Sequence, residues 1–379
     1  MRVLLIGEYS RLHNSLKEGL VKLGCEVILV ANSDGFKEFP VDYSTDFKFC
    51  KTKIINISRQ IIVRLFNYDI AKLEQGLRFY FLLKKMKNFD IVQFIHETPI
   101  KTDKKFEVFL LKKIFNANKK VFILSCGVDY LNMKYDTTHR DKKSSIQPFF
   151  ENQKLVEEYN SLFDLLKENH KKAHDFVLEN CKGIIACDLD YINAVKNHSK
   201  YLGLIPYPIN LDKFIFNELK IDHKIVIFLG INEWSYNQKG IVYFEKALEI
   251  ISEKYPEKVE IIITRTIPYK KYINLYNRAH ILLDQTFAYD QGYNALEAMT
   301  KGKVVFTGAE TEFMKHYNLT EKVAINALPN VESLTNELSF LIENPAEIIA
   351  LGKRARAFVE KEHNYIKIAE KYIETWKSK

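Results

Sequence analysis

The stretch Asp284-Gln285-Thr286-Phe287-Ala288-Tyr289-Asp290-Gln291-Gly292-Tyr293-Asn294-Ala295-Leu296-Glu297-Ala298-Met299-Thr300-Lys301-Gly302, continuing into Lys303-Val304-Val305-Phe306, decides how this chain is read. Ile281-Leu282-Leu283 before it is an apolar run short enough for a buried strand. A polar loop holding Gly292 follows, then a short helix carrying Ala295, Leu296, Ala298 and Met299. Gly302 is a natural helix stop, and Val304-Val305-Phe306 starts another strand. The order strand, loop, helix, strand puts the loop and the helix N-terminus at the carboxyl end of a strand. Open α/β sheets bind ligands there, and unpaired backbone N–H groups there favour phosphate. Glu297 has two readings. With Asn294 as N-cap it is the N3 partner of a capping box; otherwise its carboxylate accepts hydrogen bonds from the hydroxyls of a ligand.

Outward from this stretch, the same alternation recurs. Val3-Leu4-Leu5-Ile6, Glu26 to Val30, Asp90 to Ile95, Val121 to Leu124, Gly183 to Ala186 and Leu204-Ile205-Pro206 read as strands of a first α/β domain. A helix from about Asn14 to Leu23 stops at Gly24. The loop Glu8-Tyr9-Ser10-Arg11-Leu12-His13 lacks the glycine fingerprint of dinucleotide binders. Ile225 to Gly230, Glu260 to Thr264 and the opening stretch form a second domain, with helices over Val242 to Ser252, Tyr269 to Arg278, Glu310 to Tyr317 and Val331 to Glu343. The final helical segment, Ala346 to Lys379, is broken near His363-Asn364. Lys134 to Lys143 reads as a polar loop, and Leu155 to Asn180 as one or two helices with Leu155, Tyr159, Leu162, Leu165 and Leu166 on one side. Ala71 to Lys87 is amphipathic, through Leu73, Leu77, Phe81 and Met86: a packed surface helix or an interfacial one.

A chain of 379 residues suits two domains, or three. No apolar run approaches a membrane span, and the N-terminus reads as a strand rather than a signal peptide. Cys25, Cys50, Cys126, Cys181 and Cys187 show no zinc-like pairing and read as free thiols of a reducing cytoplasm; no metal site is expected. The net charge of +8 is uneven, with 16 Lys/Arg against 6 Asp/Glu between Lys51 and Lys120. That surplus is either a solvated face or an attraction to anionic lipid or a phosphorylated acceptor. No nucleic-acid motif accompanies it.

Gly292, Ala295-Leu296-Glu297-Ala298-Met299 and Gly302 resemble the donor-sugar motif of the retaining GT-B glycosyltransferases often called GT4. The resemblance implies two Rossmann-like doubly wound domains facing each other across a cleft. It divides the chain into an acceptor-binding domain, 1–208, joined by the last helix at about 364–379, and a sugar-nucleotide domain, 209–363, with Pro206-Tyr207-Pro208-Ile209-Asn210 as the link. It implies a UDP- or GDP-sugar donor, no cofactor, and a glycan, lipid-linked or small-molecule acceptor. Apart from the resemblance, the free thiols point to a cytoplasmic protein and the basic surplus to peripheral contact with an anionic membrane at its inner face. Gly230, Lys239, Arg265, Asp284, Gln285, Gly292, Tyr293, Asn294 and Glu297 are the residues expected around the donor. Lys239 and Glu297 are expected to act in catalysis with Asp129 and His96, while Arg11 and His13 face phosphate or acceptor.

Three positions depart from the family. Tyr289 stands where a second glutamate is common, and Asp290 is one step out of register. A subgroup instead carries Asp-Gln at the preceding strand end, as Asp284-Gln285 does. Cys126, in Ser125-Cys126-Gly127-Val128-Asp129, replaces a histidine, leaving His96 to fill that space. Ile231 replaces an arginine, for which Arg265 is the substitute. A sugar-nucleotide 2-epimerase shares the implied fold, and a relative that binds without turnover is the competing class.

Overall fold

A computed structural model describes residues 1–32, 39–66, 68–216 and 218–379, the side chains of Tyr269 and Lys270 apart. Seven strands form the first sheet: β1 (Arg2–Ile6), β2 (Glu26–Ala31), β3 (Tyr43–Ser44), β4 (Ile91–Phe94), β5 (Lys120–Ser125), β6 (Gly183–Ala186) and β7 (Tyr201–Leu204). Five form the second: β8 (Ile225–Ile231), β9 (Val259–Arg265), β10 (Ile281–Leu283), β11 (Val304–Thr307) and β12 (Ile325–Asn326). The orders are β3-β2-β1-β4-β5-β6-β7 and β12-β11-β10-β8-β9, and the pairings are parallel. In both sheets the chain leaves a central strand, winds outward one way, then returns to wind the other. This doubly wound arrangement gathers the carboxyl strand ends along one edge of each sheet.

Strands covered on both faces read as continuous apolar runs, and each face has its own core. Val3 and Leu5 point into one cluster, Leu4 and Ile6 into another. In the second sheet Ile227 and Leu229 face one cluster and Phe228 the other. One of these clusters is shared. It runs from Leu12, Leu16 and Leu20 of the first domain through Tyr293, Leu296 and Met299 of the second to Ile368, Tyr372 and Trp376 of the last helix. That helix, Tyr365–Lys377, follows Pro345–Glu362 after a break at His363-Asn364 and crosses back to the first domain. Gly19 of helix Leu12–Lys22 lies so close to the Tyr365 carbonyl that no side chain would fit there. Trp376 Nε1 donates to Gln93 Oε1 at 3.0 Å beneath β4. The two chain crossings are tied together, with Ile209 N donating to His363 O and Tyr365 N to Ile209 O.

Two local expectations change, and a third, left open between one helix and two, resolves into two. The segment expected as a polar loop from Lys134 begins inside a helix, Tyr130–Thr138, because Asp129 caps it. The Leu155 to Asn180 region is two helices, Val156–Phe163 and Glu168–Asn180, with short 3₁₀ turns before and between them. On helix Ile70–Leu82, Leu73, Leu77 and Phe81 are exposed, whereas Met86, past its end, is buried.

Candidate functional site

The carboxyl ends of β8, β10 and β11 stand side by side, since β10 pairs with both neighbours. The chain leaving β8 returns as Lys239-Gly240, which heads helix Ile241–Lys254. Gly240 has φ +65, and a side chain there would run into Thr286 Oγ1; only glycine permits this close approach. Thr286 N donates to the Lys239 carbonyl at 3.0 Å. The Lys239 ammonium lies 2.8 Å from Asp284 Oδ1. Asp284 is buried and Lys239 one-third exposed, with 3% and 33% of their side-chain surfaces open. Asp284 is thus a buried counter-ion to the partly exposed Lys239.

Gly292, not Asn294, is the N-cap of helix Tyr293–Thr300. No side chain caps that end, so the first-turn N–H groups lack one of their usual partners. The capping-box reading of Glu297 fails on the same geometry, since Glu297 lies a full turn beyond Gly292. Glu297 is partly buried, and its charge acts on both Tyr293 and Lys301. Gln285 brings its amide against Gly292. Asn294 is engaged by the ring hydroxyl of Tyr272, which donates to its side-chain oxygen at 3.4 Å; Tyr272 packs where any side chain on Gly230 would go.

Two expected donor residues have other partners. Tyr293 is buried, and its hydroxyl meets Ser15 Oγ of the first domain at 2.8 Å. It pins the domains together, because helix Tyr293–Thr300 and helix Leu12–Lys22 share one core. Arg265 stands directly across from Ile231 in the β8–β9 register, beside the position the resemblance left vacant. Its guanidinium, however, is paired with Glu233 and Glu245 at the sheet's outer edge.

The first domain supplies the facing wall. In the loop after β1, Gly7, Ser10 and Arg11 have φ +87, +49 and +74. Two consecutive non-glycine residues in this region store strain, as functional loops often do. Arg11 donates to Glu18 at 3.2 Å, its Nε finds no partner among the described residues, and its charge reaches Tyr293. His13 is fully buried with Nδ1 on the Gly7 carbonyl, and burial lowers its pKa to about 3. It is a neutral core residue.

His96 lies edge-on to Tyr9, with Nε2 3.3 Å from the Val128 carbonyl and Nδ1 accepting from Thr98 N. Asp129 is buried and spends its carboxylate on Asn132 and Ser125. Both residues shape the floor of this wall. The sequence reading missed their neighbour Glu97. Its Oε2 lies 2.5 Å from His174 Nδ1, and Oε1 accepts from Tyr130 N. Burial works against its charge, but the His174 hydrogen bond and the two histidines bring its pKa below the ordinary value. Burial and the Glu97 charge raise Asp129. Burial and Asp129 push half-buried Asp136 up to about 7. Glu97 and His174 are 77 residues apart, so no local pattern could have paired them.

The departure at Tyr289 also has a structural reason. Tyr289 N donates to Asp190 Oδ1 at 2.6 Å, and its hydroxyl accepts from Lys143 N. Lys143 also pairs with Glu310. Residue 289 therefore joins the two domains. Farther along the cleft, Asn237 Nδ2 donates to Glu158 Oε2 at 2.6 Å. A cavity of about 840 Å³ opens there between Glu157–Asp164 and Glu233–Gln238, with Trp234 exposed at its mouth. Among the described residues no group of three or more His, Cys, Asp or Glu could hold a metal ion.

Two parallel, doubly wound sheets of seven and five strands give the chain the two-domain architecture of the GT-B fold. Residues 236–374 match the family model described as glycosyl transferase-like. Solved structures are similar over the whole chain. Sucrose-phosphate synthase from Thermosynechococcus elongatus has a TM-score of 0.60 at 14% identity, covering 100% of this chain and 98% of that one. HepE of Anabaena, in complex with UDP and glucose, gives 0.59 at 11%, covering 100% of both. UDP-GlcNAc 2-epimerase from Neisseria meningitidis, bound to UDP-GlcNAc, gives 0.50 at 14%, also covering 100% of both. No curated relative matches the sequence. The chain thus has the GT-B fold, and its second domain is similar to the glycosyl transferase-like family.

Proposed function

We propose that this protein transfers a sugar from a UDP- or GDP-sugar to a glycan, lipid-linked or small-molecule acceptor, with retention at the anomeric carbon and no resident cofactor. The observation that carries the reading is the Lys239–Asp284 pair, which aims an ammonium from the strand ends of the second domain. Lys239 and the first-turn N–H groups after Gly292 would neutralise the charge that develops on the departing diphosphate. Fixed donors of this kind contribute roughly 3 kcal/mol each. Glu297 would accept hydrogen bonds from the ribose hydroxyls, and Gln285 would lie by the sugar. Arg11 closes the site from the first domain, supplying the positive charge that Arg265 gives to Glu233 and Glu245. His96 and Asp129 hold the acceptor-side floor. Five free cysteines support a reducing, cytoplasmic setting.

The glycosyl transferase-like second domain favours transfer over epimerisation. The test is release of UDP or GDP from a panel of nucleotide sugars, with and without simple glycoside acceptors. Acceptor-dependent release is expected. Tight binding with no release from any donor would instead support a non-catalytic relative, with Tyr289, Cys126 and Ile231 as the lost functions; conversion to the 2-epimer would support the epimerase.

A further inference from the structure

Helix Lys53–Phe66 is built the wrong way round for a globular surface. It contains no buried residue. The side turned toward the protein carries Asn56, Arg59 and Ile62, which are partly covered. Arg59 makes two 2.6 Å hydrogen bonds to Asp69 and lies over the Phe47 ring. Ile54, Ile57, Ile61 and Leu65, spaced three and four residues apart, form a stripe on the opposite side. They are 81%, 55%, 53% and 69% exposed, and Phe66 beyond them is 72% exposed. The next helix, Ile70–Leu82, packs against this one and repeats the pattern: Leu73, Leu77, Tyr80 and Phe81 are exposed while Phe79 is buried. Tyr80 stacks on exposed Phe109, which also stacks on Phe106 and lies under the Lys113 ammonium. Isolated exposed apolar residues need no explanation, but two adjacent helices with outward apolar stripes do.

The charge around these stripes says what covers them. From Lys48 to Lys87 there are ten Lys/Arg against two Asp/Glu, an excess of eight, equal to the net charge of the whole chain. Both acids are already engaged, Asp69 by Arg59 and Glu74 by Arg78 and three backbone N–H groups. Lys53, Arg64, Lys72, Lys84 and Lys85 remain on the exposed side. A second copy of the chain would bring eight positive charges against eight. An anionic surface that also accepts apolar side chains satisfies both features at once. We infer that helices Lys53–Phe66 and Ile70–Leu82 dock this protein on the face of an anionic lipid bilayer. The apolar stripes lie among the acyl chains and the lysines and arginines at the headgroups. Among the described residues no helix is long and apolar enough to cross the membrane, so the contact is peripheral. It does not depend on the transferase reading.

The test is flotation with vesicles of phosphatidylcholine containing about a third phosphatidylglycerol, against vesicles of phosphatidylcholine alone. The intact protein is expected to float with the anionic vesicles at low salt, and binding should fall steeply as salt rises. Ile57→Ser/Ile61→Ser/Leu65→Ser should lower the partition constant about ten-fold or more, at an unchanged melting temperature, because all three side chains are exposed. Lys53→Gln/Arg64→Gln should lower it about five-fold per charge removed and flatten the salt dependence. No flotation at low salt, or equal flotation of the triple variant, would overturn the proposal. So would a concentration-dependent dimer, seen by light scattering, that the triple variant abolishes.

Discussion

The two walls of the cleft are built by opposite strategies. On the second domain the charged groups are poised: Lys239 is held at 2.8 Å by one buried carboxylate and keeps a third of its surface open, and the helix behind Gly292 has no side-chain cap. On the first domain the titratable groups are consumed. Glu97 is shared between His174 and Tyr130 N, Asp129 caps a helix, and His13 is a neutral core residue. With the second domain's wall binding the donor as proposed and the first domain's wall carrying load, the two should respond differently to substitution. Changes on the donor wall should register in ligand affinity, and changes on the load-carrying wall in the stability of the empty protein.

Glu97→Ala should have the largest effect. It leaves His174 without its buried partner, and breaking such a pair costs about 3–5 kcal/mol. Denaturant melts of the empty protein should show the full loss. A normal midpoint would erase the contrast between the walls.

Asp136 sharpens the same point through pH. Its pKa is about 7 in the folded protein against an ordinary 3.8. Between those values the unfolded chain has released a proton that the folded chain retains. Stability should therefore fall as pH rises from about 4 to about 7 and stay lowered above. Asp136→Asn removes the penalty. It should stabilise the protein by roughly 1–3 kcal/mol at pH 8, discounted for the group's partial exposure, and hardly at all near pH 4. Equal gains at both pH values would show that the carboxylate is not held neutral.

Glu297→Gln should have the smallest effect on the fold and a moderate one on the ligand. Since Glu297 is not part of a capping box, melting without nucleotide should shift by under about 1 kcal/mol. Sugar-nucleotide affinity should drop about ten-fold, the scale of a charge-assisted hydrogen bond. A large loss of stability with unchanged affinity would move Glu297 to the load-carrying group.

The contrast also explains what the sequence made legible. The second domain's groups lie beside glycines, Lys239 before Gly240 and Glu297 five positions after Gly292, so a local motif resemblance is enough to single them out. The helix break at His363-Asn364 is equally local, and the structure has it at that point. The first domain's connections are long-range. Glu97 meets His174, Tyr289 meets Lys143, and Tyr293 meets Ser15, which is 278 residues away. Tyr293 was assigned to the donor because its neighbours in sequence belong there, whereas its partner is on the other domain. Arg265, expected to replace the charge missing at Ile231, lies across from it on β9, but the carboxylates that engage it come from other elements. The outward apolar stripe of Lys53–Phe66 went unread because amphipathic periodicity does not say which face the fold covers.

The central claim is that Lys239 meets a diphosphate. Calorimetric titration of the parent and Lys239→Ala with UDP, GDP and their nucleosides tests it most directly. The parent should bind one diphosphate more tightly than its nucleoside. The variant should lose roughly 1.5–3 kcal/mol of that diphosphate affinity, about ten- to hundred-fold, with nucleoside binding unchanged. An undiminished diphosphate affinity, or an equal loss for diphosphate and nucleoside, would contradict the assignment.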